Sequence, residues 1–162
     1  MTAIAFHIRP AETAADIAAA VAMFRAYAAT LPVDLGFQNF EAELAGMPGK
    51  YAPPKGALLL ATDPDGAPLG CVALRPLDDD GCCEMKRLYL APAARWLGLG
   101  RALTDAIVGE ARRIGYREMR LDTLPSMETA VAIYRRMGFA PIAPNYDTPV
   151  EGTIFLALSL AD

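Results

Sequence analysis

The stretch CCEMKRLYLAPAARWLGLGRALTDAIVGEARRIG, residues 82–115, reads as a strand, a turn with two close glycines and an amphipathic helix. Met85 to Leu90 is apolar and β-prone apart from Lys86 and Arg87, and Pro92 cannot continue a ladder. From Gly100 the apolar residues recur at Leu103, Ala106, Ile107, Ala111 and Ile114. That spacing is the stripe of a helix buried on one side, with Arg101, Asp105, Arg112 and Arg113 turned to water. Gly115 supplies the stop.

Between strand and helix lies Arg95-Trp96-Leu97-Gly98-Leu99-Gly100-Arg101. A helix start leaves backbone N–H groups unpaired and carries partial positive charge, so it suits an anion. Glycines admit a phosphate without a Cβ in its way, and Arg95 and Arg101 bracket the loop with charge. A plain strand-to-helix turn is the bland alternative. A P-loop needs a Lys-Ser/Thr pair after its last glycine, and Arg101-Ala102 stands there. A dinucleotide fold would want a small residue where Leu103 stands and a strand running directly into Gly98. It keeps one point of agreement, an acidic ribose partner at Asp122, 22 residues after Gly100.

Arg95-x-x-Gly98-x-Gly100 after KRLYLAP resembles the acyl-CoA pyrophosphate loop of the GCN5-related N-acetyltransferases. REMRLDTL (117–124) looks like the next strand of that family. Ala130 to Phe139, AVAIYRRMGF, looks like its AxxLYxxxGF helix. The resemblance covers residues 82 to 140. Two positions depart from it: Trp96 stands where the family usually has glycine, and Met127 where a pantetheine-holding asparagine often sits.

At 162 residues the chain suits one domain over 1–162 with a sizeable core. Its 54% hydrophobic and 21% charged residues are those of a globular chain. A net charge of −4 argues against a nucleic-acid partner and favours a neutral or cationic one. Neither a leader nor an apolar run of spanning length is evident, so no membrane is expected. Cys71, Cys82 and Cys83 make no disulfide framework, and a reducing cytoplasm is the expected setting. With His7 the only histidine, no metal site is expected.

From the start, Ala3–Arg9 alternates as a strand closed by Pro10. Thr13-x-x-Asp16 signals a helix start, with Ile17, Val21, Phe24, Ala28 and Leu31 as its stripe. Residues 32 to 55 are looser, with a short helix over Phe40–Ala45 and Phe37, Phe40 and Tyr51 beside Asp34, Glu41 and Glu43. That stretch is either a cover for the core or part of the acceptor cleft the resemblance implies. Gly56–Asp63 and Leu69–Leu77 form a hairpin through DPDGAP. Asp78-Asp79-Asp80-Gly81 is a solvated turn. Strand 118–124, helix 126–137 and closing strands near Phe139–Ile142 and Thr153–Ser159 follow. These elements predict a mixed α/β sheet. The resemblance makes it mostly antiparallel, with helices on both faces and a central β-α-β acyl-CoA-binding unit.

The resemblance implies transfer of acetyl from acetyl-CoA to an amine, on a small molecule or a peptide, with no covalent nucleophile from the protein. A homodimer is compatible with it. The chain agrees by omission, since Ser126, Ser159 and His7 leave little for a triad. By resemblance Tyr134 is the general acid for the leaving thiolate; by periodicity alone it is core. Glu84, flanked by Cys83 and Met85, is the general-base candidate, and a Glu84–Lys86 ion pair on one strand face is its bland alternative. Leu88 and Leu90 would offer backbone groups to the pantetheine arm where a parallel strand splays from its neighbour. Leu99, Gly100, Arg101 and Ala102 would give N–H groups to the pyrophosphate, beside Arg95 and Gly98. A non-catalytic acyl-CoA-binding regulatory module is the alternative function.

Overall fold

The computed structural model describes residues 5–31, 39–95, 98–144, 146–148 and 150–161. The earliest strand, β1 (His7–Pro10), lies at a sheet edge against β2 (Ala57–Thr62), and Ala11 N–H still donates to Leu58 O at 2.8 Å. Pro10 therefore belongs to the strand it was expected to close. It can, because an edge residue needs no donor on its outer side. Ala3 and Ile4 of the expected strand lie outside the described residues.

Helix α1 (Ala14–Thr30) starts where the Thr13/Asp16 pair puts it, in a reciprocal capping box. Asp16 also accepts two hydrogen bonds from Arg9, at 2.7 and 2.8 Å, which ties β1 to α1. The buried stripe is rotated from the expected one: Asp16, Ala20, Met23 and Phe24 are buried, while Ile17, Val21, Ala28 and Leu31 pack at its margin. The run is so rich in alanine that its apolar residues mark no single face. The Arg9 hydrogen bonds, with backbone N–H groups of Glu12 and Thr13, hold the Asp16 carboxyl well below the usual range. Asp16→Asn is expected to cost about 1 kcal/mol, as for loss of a helix cap. Because the folded pKa lies below the unfolded 3.8, the deficit should be fully present above pH 3.8 and shrink as pH falls below it. Chemical denaturation of both proteins across that range checks this.

Helix α2 (Phe40–Ala45) has the expected bounds. β2 and β3 (Pro68–Pro76) form the expected hairpin, and β3 pairs antiparallel with β4 (Cys82–Leu90). Helix α3 (Leu99–Ile114) ends on Gly115, whose φ of 110° suits glycine. β5 (Glu118–Thr123), helix α4 (Glu128–Arg136), β6 (Ala140–Pro141) and β7 (Ile154–Ser159) complete the order. Among the described residues the sheet runs β1-β2-β3-β4-β5-β7-β6, with β4–β5 its parallel pair. A sheet antiparallel at every other pairing is not the doubly wound frame a dinucleotide fold requires, which removes that alternative.

Each sheet face has its own core. Leu59, Val72, Leu74, Met85 and Met119 meet Leu99, Leu103 and Ile107 of α3 and Tyr134 of α4. Leu58, Leu60, Cys71 and Ala73 meet Ala20, Met23 and Phe24 of α1 and Phe40 and Leu44 of α2. β2 is buried throughout because successive side chains serve opposite cores. All three thiols are buried, and burial pushes Cys71 and Cys83 up to about 12, so they are inert core residues.

Candidate active site

β4 and β5 pair only over Cys82–Glu84 and Glu118–Arg120. β4 then runs on to Leu90 and β5 to Thr123 without pairing to each other. On its other side β4 stays bonded to β3 as far as Leu90, so beyond Glu84 its β5-facing N–H and C=O groups have no strand partner among the described residues. This is the splay expected beside Leu88 and Leu90. Leu88 lines the narrow slot it opens, of about 60 Å³, and Leu90 lies half-buried against α3.

A bulge sits in the same stretch. Ala73 pairs with Lys86 and Cys71 with Tyr89, so Val72 faces both Arg87 and Leu88, and Arg87 takes φ 63°. Strict alternation would send Lys86 and Arg87 to opposite faces. Instead Arg87 reaches α2, donating to both carboxylate oxygens of Glu43 at 3.0 Å with its guanidinium over the Phe40 ring. Lys86 lines the slot and also a second cavity, of about 470 Å³, shared with Glu43, Tyr51, Arg75 and Tyr146. The pattern KRLYL carries no glycine or proline that would have marked the bulge.

At the start of α3, Gly98 has φ 71° and an added Cβ there meets no heavy atom within 4 Å, so the space above it is open. Gly100 is glycine for another reason. A Cβ would come within 3.2 Å of Ile133 Cδ1 and 3.4 Å of Leu90 Cδ1, so the residue lets α3 close on β4 and α4. Leu99, Gly100 and Arg101 keep the N–H groups that a helix start leaves without intrahelical acceptors. Ala102 does not: its N–H donates to Gly98 O at 3.2 Å, the first bond of the helix. Arg95 is exposed, and Arg101 donates to Asp105 at 3.2 Å on the surface. Trp96 and Leu97 lie outside the described residues.

Tyr134 stands on α4, 5% exposed, its ring 5.7 Å from that of Phe139. Its hydroxyl has no hydrogen-bond partner among the described residues, yet it is not a sealed unsatisfied group, and the residue lines the slot. Burial pushes its pKa up, with Tyr27 and Asp122 adding to the shift, so it stays a neutral phenol. Met127 caps α4 from the slot wall, within 3.7 Å of Thr123 Oγ1.

Glu84 is placed differently from the expectation of a catalytic base. It lies where β4 and β5 are still joined, its side chain 2% exposed, and it lines neither cavity. Arg75 Nε donates to it at 2.9 Å, and Lys86 Nζ stands 3.7 Å away. The expected Glu84–Lys86 pair is therefore present. Burial lowers the Lys86 pKa, opposed by the Glu84 and Asp122 carboxylates.

Asp122, weighed in the sequence only as a ribose partner, lines the slot with Tyr134 and accepts a hydrogen bond from the Tyr146 hydroxyl at 2.8 Å. The signal for it was available: β5 alternates Glu118, Arg120, Asp122 with buried Met119, Leu121, Thr123. Tyr146 carried no such signal, since it sits in irregular chain between β6 and β7. The acidic turn at 78–81 is tied into the sheet: Asp79 pairs with Arg120 at 2.7 Å, and Asp80 O accepts from Arg117. Among the described residues no group of His, Cys, Asp or Glu is placed to hold a metal ion, and no helix is long and apolar enough to cross a membrane.

The model of the acetyltransferase (GNAT) family matches residues 20–139. An uncharacterised N-acetyltransferase of Schizosaccharomyces pombe is 43% identical over 129 residues, 80% of this chain and 79% of that protein. A GNAT-family acetyltransferase structure from Staphylococcus aureus superimposes with a TM-score of 0.80 at 18% identity, over 97% of this chain and all of that one. A Salmonella typhimurium protein solved with its cofactor acetyl-CoA gives 0.70 at 22% identity, over 98% and 95% of the two chains. A strand pair opened around a phenol, a glycine-flanked helix start and a family match over most of the chain agree, and the chain belongs to the acetyltransferase (GNAT) family of acetyl-CoA-dependent N-acetyltransferases.

Proposed function

We propose that the protein moves acetyl from acetyl-CoA directly to an amino group of an acceptor held in the second cavity. The observation that carries this is the parting of β4 from β5 around the Tyr134 hydroxyl, which has no hydrogen-bond partner among the described residues. The unpaired edge of β4 at Leu88 and Leu90 suits the amides of a pantetheine arm, which would take the place of a strand. The N–H groups of Leu99, Gly100 and Arg101 suit a pyrophosphate over the open space at Gly98, with Arg95 and Arg101 adding charge. Acetyl-CoA supplies an activated thioester. Tyr134 donates its proton or hydrogen bond as charge builds on the leaving sulfur. Glu84 holds Arg75 and Lys86 at the wall of the acceptor cavity.

Acetyl-CoA is expected to raise the melting temperature, by the equivalent of about 2.7 kcal/mol at 100 times its Kd. A pool of small-molecule and peptide amines should then release CoA thiol. A shift with NAD and none with acetyl-CoA would overturn the reading. Tight acetyl-CoA binding with no thiol release from any amine would point to the acyl-CoA-binding regulatory module, which the family and its named N-acetyltransferases do not favour. Gly100→Val is a poor probe of the loop, because its bulk meets Ile133 and Leu90 and overpacking alone costs about 1–3 kcal/mol.

A further inference from the structure

We infer that Asp122 is the carboxylate that takes the proton from the acceptor's ammonium group, held in position by the hydroxyl of Tyr146; this rests on the acetyl-transfer reading above. Three placements carry it. Asp122 is the first polar residue of β5 beyond the point where β5 leaves β4, on the same strand face as Arg120. It lines the slot together with Tyr134, so the groups that would remove and supply protons face one space. Tyr146, which donates to it at 2.8 Å, lines the acceptor cavity, so the carboxylate stands where the two spaces meet. Glu84 is one row further back, where the strands are still paired and Arg75 and Lys86 engage it.

The step balances as follows. The ammonium gives one N–H proton to an Asp122 oxygen, directly or through water, and becomes a free amine. Its nitrogen lone pair forms the C–N bond to the thioester carbon. The C–S bond breaks with its electron pair on sulfur, and sulfur takes the Tyr134 proton. The second proton lost by nitrogen restores the phenol, and Asp122 returns its own proton to solvent.

Groups around Asp122 are Lys86 of β4, Tyr134 of α4, Tyr27 of α1 and Tyr146, with Arg120 on its own strand. The Tyr146 hydroxyl fixes one Asp122 oxygen by its hydrogen bond, so removing it leaves the carboxylate less well placed to meet the ammonium.

The test compares two acceptors at pH 7: ethylamine, an ammonium ion there, and 2,2,2-trifluoroethylamine, whose fluorines leave it largely neutral. Thiol release is measured for the parent, Asp122→Asn, Tyr146→Phe and Glu84→Gln. Asp122→Asn should lose about 10²-fold in kcat/KM with ethylamine and little with the fluorinated amine, while acetyl-CoA still raises its melting temperature. Tyr146→Phe should keep ring packing on Phe155 and lose about 10-fold with ethylamine and little with the fluorinated amine. Glu84→Gln should lose no more with ethylamine than with the fluorinated amine. Equal losses on both amines in Asp122→Asn, or selective loss in Glu84→Gln instead, overturn the assignment alone. Where neither amine is accepted, an amine from the pool that does release thiol takes their place, compared below and above its own pKa; a parent that releases thiol with no amine overturns the acetyl-transfer reading and the assignment with it. If Asp122→Asn does not fold, Tyr146→Phe decides: a loss confined to ethylamine supports the assignment, and equal losses or none on the two amines overturn it.

Discussion

Tyr134→Phe is expected to lower kcat by about 10²-fold while leaving KM for acetyl-CoA nearly unchanged. The substitution keeps the ring, and with it the contact to Phe139 at 5.7 Å between centroids. It removes a hydroxyl that no described side chain or backbone group holds, so folding should lose little. In the proposed role the hydroxyl's partner is the atom on which charge develops, and an interaction made mainly in the transition state appears in kcat rather than KM. Burial keeps the phenol protonated, so the basic limb of the parent's profile should not be its titration. Single-turnover kinetics isolates the chemical step from CoA release. A near-parental rate in that phase would make Tyr134 a core residue and end its catalytic role.

Glu43→Ala is expected to cost about 3–5 kcal/mol of stability, a large share of what holds a domain together. Its side chain is the bidentate partner of Arg87, whose own side chain is 3% exposed in a bulge of β4. Without Glu43 the guanidinium keeps the Phe40 face but has lost its counter-charge where water reaches it poorly. Arg87→Met should cost much less, because Glu43 is 19% exposed and can turn to solvent. The double variant should recover most of the loss of Glu43→Ala, as replacing a buried pair by apolar atoms often does. Urea midpoints at unchanged m check all three. Equal losses in the two single variants, adding in the double, would show that the pair is not coupled. Glu43 lines the second cavity together with Lys86, so its bond to Arg87 also holds part of that cavity's wall.

Net charge says little of how that wall is composed. The chain as a whole is acidic, yet Lys50, Arg75 and Lys86 line the second cavity beside Glu43 and Asp147. A global sum says nothing of which charges are drawn together, and here the bulge and the β3–β4 register gather them.

The local pattern of the chain was enough for the elements and their order. Thr13 and Asp16 start α1, and Gly115 ends α3 with the left-handed φ that its neighbours would resist. The stripe from Leu103 to Ala111 fixes the buried face of α3, because helix period and hydrophobic burial are both local properties of sequence. The glycine-flanked helix start and the Tyr134 helix were legible for the same reason. What the tertiary structure decided depends on residues far apart in the chain. The site opens because β5 follows β4 for three residue pairs and then leaves it. Lys86 and Arg87 share a face because β3 meets β4 with one residue too few. Ala102 has no N–H to give because the helix spends it on Gly98. Glu84 and Asp122 are both acidic strand residues, and nothing in their neighbours along the chain says which partners each will meet. One is paired with Arg75 and Lys86, and the other is bonded by Tyr146 on the lining of the slot, because strand register and loop packing bring those partners across the sheet.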